Sequence, residues 1–143
     1  MAFKRILQDN HGTIAGLRDA DLSRFICVQC RDDGLGQPIP SLFLLQTANS
    51  NSWHRFFLDT GICYWDEYDH LPQDDLSDSE IYPWVDLGHK FHLNGLRIIS
   101  IDAAPQASGV RLTITMSQGR KVEISTRHPE DDMLLQINPG NGE

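Results

Sequence analysis

Val110-Arg-Leu-Thr-Ile-Thr-Met116, followed after Gln118-Gly119 by Lys121-Val-Glu-Ile-Ser125, decides the fold class. The first segment alternates apolar and polar residues strictly. In an extended chain successive side chains point to opposite faces, so Val110, Leu112, Ile114 and Met116 share one face. Gln118-Gly119 supplies a tight turn, and Val122 and Ile124 continue the inward face on the return strand. Two alternating runs joined by a short glycine-containing turn are the signature of a β-hairpin.

Working outward, the same signals recur. Arg24 to Cys30 is β-branched and aromatic and is stopped by Asp32-Asp33-Gly34. Ser41 to Thr47 is a mainly apolar strand, Ala48 to Ser52 a polar turn, and Trp53 to Leu58 its partner strand. Asp59-Thr60-Gly61 turns the chain into Ile62 to Trp65. Asn94-Gly95 precedes a strand over Leu96 to Ile101, and Met133 to Ile137 forms the last one. Pro72 followed by Gln73 to Asp78 has the acid-rich first turn that opens a short helix. This spacing predicts a mainly β fold (or α+β with little helix). The expected form is an antiparallel sandwich or partly closed barrel of about 8–9 short strands with one or two short helices. At 143 residues the chain is long enough to bury a core and is expected to form one domain over 1–143, with 138–143 a frayed tail.

Charge is distributed unevenly. Between Asp59 and Asp86 lie nine acidic residues and no Lys or Arg: Asp59, Asp66, Glu67, Asp69, Asp74, Asp75, Asp78, Glu80 and Asp86. The other eleven acids nearly balance all twelve basic residues, so the formal charge of −8 comes from this stretch. It also holds Tyr64, Tyr68, Tyr82, Trp65 and Trp84. A net negative chain argues against nucleic-acid and anionic-membrane binding and favours cationic partners. Apolar runs are far shorter than the ~20 residues that span a bilayer. Met1-Ala2-Phe3-Lys4-Arg5 is followed by no apolar run of the secretory kind. Three cysteines, an odd number, argue against a disulfide framework, so a reducing cytoplasmic setting is expected.

No motif for catalysis or for a cofactor stands out. Cys27 and Cys30 have the CxxC spacing, but on a strand, where i and i+3 point to opposite faces; buried thiols are the simpler reading. Asp86, His89 and His92 offer ligand chemistry, but Gly88 and Asn94-Gly95 argue against a helix long enough to align them. The carboxylates Asp74, Asp75, Asp78 and Glu80 lack calcium-loop spacing. No metal site is therefore expected. His54 and Asp59 face opposite ways on one strand, so they make no catalytic pair. Trp53 and Trp65 read as strand-borne core residues.

Two function classes remain. The first is a small acidic binding protein that engages a basic protein partner, in the manner of an immunity-type inhibitor of a toxin. Its contact surface would comprise Asp66, Glu67, Tyr68, Asp69, Asp74, Asp75, Asp78, Glu80, Tyr82 and Trp84. Carboxylates would steer association and aromatics would anchor it. The second is a β-barrel or sandwich that binds a small ligand or carbohydrate, with or without catalysis. Shape separates them: a convex acidic ridge fits the first, a concave pocket with converging polar groups the second.

Overall fold

The computed structural model describes residues 3–32, 38–71, 83–107, 109–127 and 132–138. Within them the chain forms eleven strands. These are β1 (Phe3–Asp9), β2 (Gly12–Thr13), β3 (Leu22–Asp32), β4 (Pro38–Thr47), β5 (Trp53–Asp59), β6 (Ile62–Tyr68), β7 (Trp84–Asp86), β8 (Ile98–Gln106), β9 (Gly109–Met116), β10 (Lys121–Arg127) and β11 (Asp132–Asn138). The strands build two antiparallel sheets, ordered β1-β6-β5-β4-β3-β7 and β11-β10-β9-β8-β2. The fold is a β-sandwich, not a closed barrel.

The hairpin of β9 and β10 pairs Val122 with Ile114 and Ile124 with Leu112, as their alternation requires. All four side chains are buried, with Val110 and Met116. Across the sandwich, the first sheet contributes a row of rings. Phe43 pairs with Phe56, and Phe56 with Trp65, on three consecutive strands. Their rings stack at 5.3 Å and 4.1 Å between centroids. Directly paired positions in antiparallel strands place side chains in contact, so this row is a direct product of register.

Strands β3 and β4 are buried on both faces. Phe25, Cys27, Phe43 and Leu45 enter the core between the sheets, while Ile26, Val28, Leu42, Leu44 and Trp53 form a second apolar cluster on the outer face of the first sheet. That is why these two strands read as apolar runs and not as clean alternation. The register of β3 on β4 slips around Gln29, opposite Pro40. Proline has no N–H for the ladder and is accommodated at irregularities of this kind.

Three strands go beyond the eight legible in the sequence: β1, β2 and β7. Each is short or irregular in pattern and exists through pairing to a distant segment, β1 on β6, β2 on β8 and β7 on β3. The α-helix among the described residues is a single turn, Leu87–Lys90, whose first turn is capped by the Asp86 carboxylate accepting the His89 N–H at 3.0 Å. The helix expected to open at Pro72 lies outside the described residues.

Candidate functional site

The acidic-aromatic residues do not converge as a single face among the described residues. Asp66, expected on the contact surface, is only 4% exposed. It accepts a hydrogen bond from the Arg5 guanidinium on the neighbouring strand. Its charge is paired with Arg5 within the chain, and little of it is exposed. Glu67, the next residue, points to the opposite face of β6. Tyr68 is half-buried at the end of the strand, and Asp69 is exposed beside His70. Trp84 is 41% exposed, but on β7 at the far edge of the sheet. Four strand-to-strand steps separate β6 from β7, about 19 Å at ~4.8 Å per step. Asp74, Asp75, Asp78, Glu80 and Tyr82 lie outside the described residues. The aromatic neighbours in this stretch are used internally: Trp65 is in the core, and Tyr64 stacks on Phe57 at 5.0 Å.

Polar groups converge elsewhere. At one end of the sandwich is a pocket of about 580 Å³, within the size range of small-molecule sites. Its inner wall is a cross-strand row. Lys4 of β1 pairs with Glu67 of β6, and Glu67 pairs with His54 of β5. Paired residues share a face, so ammonium, carboxylate and imidazole stand side by side. Thr47, Asn49 and Ser50 add polar groups from the turn after β4, and Ile6 adds an apolar one.

The opposite wall is the connection between β2 and β3, where Ile14 and Leu17 face the pocket with Arg18 and Asp19. The second sheet holds this connection in place. Ile14 N–H donates to the Ile101 carbonyl at 2.9 Å, and Asp19 N–H to the Ile98 carbonyl at 2.8 Å; Ile98 N–H donates to the Ala20 carbonyl at 2.8 Å. One wall of the pocket thus belongs to each sheet.

His54 is the most constrained group in the pocket. It is 6% exposed, and its Nδ1 accepts the Trp65 indole N–H at 2.8 Å. An indole can only donate, so Nδ1 must be the acceptor and the proton of the neutral ring sits on Nε2. Among the described residues no buried side-chain nitrogen or oxygen lacks a partner. Nε2 has no hydrogen-bond partner among the described residues, so it is not sealed from solvent, and His54 lines the pocket. Burial lowers the His54 pKa below its ordinary value, partly opposed by the negative charge of Glu67. The site thus offers a neutral N–H donor beside a carboxylate, with a cation on the carboxylate's other side. Among the described residues, Lys4, Arg18, Asp19 and Glu67 have no ion-pair partner within 4 Å.

The sequence carries one local signal for this site. Asp59 pairs with Ile62 around Thr60-Gly61, both of which have positive φ (49° and 79°), so the loop is two residues long. That turn sets the register of the whole hairpin and puts His54 opposite Glu67. Lys4 and the wall from Ile14 to Asp19 had no such local signal.

The cysteines and the remaining histidines gather at no common centre. Cys27 and Cys63 are buried, and burial pushes the Cys63 thiol up to about 12. Nothing is described of the Cys30 side chain. His89 lies in the short helix and His92 in the turn after it, at a φ of 56°. No group of three or more His, Cys, Asp or Glu among the described residues could hold a metal ion. No helix among them is long and apolar enough to cross a membrane. No protein-family model, curated protein or solved structure matches this chain.

Proposed function

We propose that this domain binds a small polar ligand in the pocket at the end of the sandwich. The observation that carries the reading is His54: a nearly fully buried imidazole whose inner nitrogen is held by Trp65 and whose outer N–H faces the pocket beside Glu67. A buried polar group is normally satisfied inside the protein. One that is half satisfied and aimed at a cavity, with a perturbed pKa, is a hallmark of a recognition site. The second support is construction. The inner wall is held by strand pairing in the first sheet and the opposite wall by backbone hydrogen bonds to β8 of the second, which holds the polar groups in place before a ligand arrives.

The test is a screen of polar metabolites at millimolar concentration by amide chemical-shift mapping on the whole protein near neutral pH. A ligand should perturb Lys4, His54, Glu67 and the turn at Thr47 to Ser50 together. His54→Ala should abolish the response while leaving the remaining spectrum folded. A library that perturbs nothing around these residues would refute the reading.

A second reading rests on Trp84, a large aromatic left 41% exposed on a three-residue edge strand and flanked in sequence by the acidic stretch. We also propose that this edge engages a basic protein partner, as an acidic inhibitor of a basic toxin would. Association would then slow steeply with salt. Trp84→Ala would raise the off-rate without changing stability. A Trp84→Ala variant that loses fold stability would make the residue structural and end this reading.

A further inference from the structure

Resting on the pocket reading above, we infer that the ligand class is zwitterionic: a free amino acid with an apolar side chain, or a compound with the same three parts. Three observations lead there. The pocket carries two cations, Lys4 and Arg18, and two anions, Asp19 and Glu67, and among the described residues none of them has an ion-pair partner within 4 Å. A simple anion would meet two carboxylates there and a simple cation two basic groups. A ligand carrying both charges meets a partner for each.

The order of groups matters as much as the count. Across β1, β6 and β5 the row runs Lys4, Glu67, His54, which is donor, acceptor, donor at strand spacing, ~4.8 Å per step. A zwitterion laid on this row puts its ammonium group on the central Glu67 and its carboxylate on a flanking donor, Lys4 or the Nε2–H of His54. Charge-assisted hydrogen bonds of this kind are the strong ones. The third observation is the apolar part of the lining. Partly buried Ile6 stands on the inner wall, and the buried Ile14 and Leu17 back the opposite one, so an aliphatic side chain would meet apolar atoms there. An uncharged sugar would use none of the four charges and would leave the apolar contacts against hydroxyls.

Isothermal titration of the full chain near neutral pH with four probes separates the possibilities: leucine, N-acetyl-leucine, leucine methyl ester and glucose. Leucine should bind. Capping either end should weaken binding about tenfold or more, since each cap removes one charge-assisted contact. Glu67→Gln should weaken leucine by a similar factor while leaving N-acetyl-leucine bound no more weakly than before, because that anionic probe has no ammonium group to lose and is relieved of one carboxylate. The capped probes need no mutant, so the result stands even if a variant folds poorly. If glucose binds and leucine does not, or if leucine and its capped forms bind equally, the zwitterion inference is overturned and the pocket reading survives. If none of the four binds and the wider screen is also silent, both fall.

Discussion

Lowering the pH should destabilise this protein through His54, and the size of the effect follows from its surroundings. The ring is almost wholly buried, and its Nδ1 already accepts the Trp65 indole N–H at 2.8 Å. Charging the ring puts a second N–H on Nδ1, so two donors would face each other and the bond would be lost. The groups around the ring are Glu67 across the strand pair, Lys4 beyond it, and Arg18 and Asp19 on the opposite wall. Only burial and Glu67 shift the ring, burial lowering its pKa and Glu67 partly restoring it. The native pKa therefore lies below the ordinary 6.5, and the unfolded chain binds the proton first as pH falls. Stability is full above 6.5, where the unfolded ring is neutral too, and declines below 6.5 at a slope of up to about 1.4 kcal/mol per pH unit. If the native ring stays neutral throughout, the loss reaches a ceiling of about 2 kcal/mol at pH 5. The assay is urea unfolding between pH 8 and pH 5 of the wild type and His54→Asn. Asparagine sets its Oδ1 close to the place of Nδ1, so it can still accept from Trp65 but cannot titrate. The other five histidines are common to both proteins. The stability difference between the two should shrink or reverse as the pH falls through 6.5. Glu67→Gln, which removes the charge favouring the protonated ring, should enlarge the loss. Parallel stability curves for wild type and His54→Asn would refute the reasoning.

Three further outcomes are expected. Ile114→Ala removes a fully buried side chain at the centre of the β9–β10 hairpin and should cost about 2–5 kcal/mol, read as a lower urea midpoint at unchanged m-value. Gly109→Ala should cost about 2 kcal/mol or more in the same assay. Gly109 has a φ of 133°, and an added Cβ would stand 2.2 Å from the Thr126 hydroxyl that accepts the Val110 N–H. Cys63, whose thiol burial holds near 12, should resist alkylation at pH 8 in the native state and react promptly in urea, as peptide mapping would show.

Local pattern carried the fold as far as local pattern can. The alternation of Val110 to Met116 and of Lys121 to Ser125 settles which side chains face inward, because a strand has a period of two and a one-residue slip would expose the whole set. The turn at Thr60-Gly61 likewise held the pairing of His54 with Glu67, although it takes the register of the hairpin to see that residues so far apart in sequence stand together. Asp66 and Glu67 were legible as two adjacent carboxylates, but not as opposites. One is neutralised by Arg5 on the outer face and the other stands in the pocket, and that division depends on β1 docking beside β6. The pocket was beyond sequence reading for the same reason. Its walls are brought together by β1 on one sheet edge and by the Ile14–Asp19 connection tied to β8, contacts between segments that no periodicity links. Composition and alternation determined a β-rich domain with an acidic middle. Long-range strand pairing, which answers to the burial of both sheets at once, decided where its charges meet.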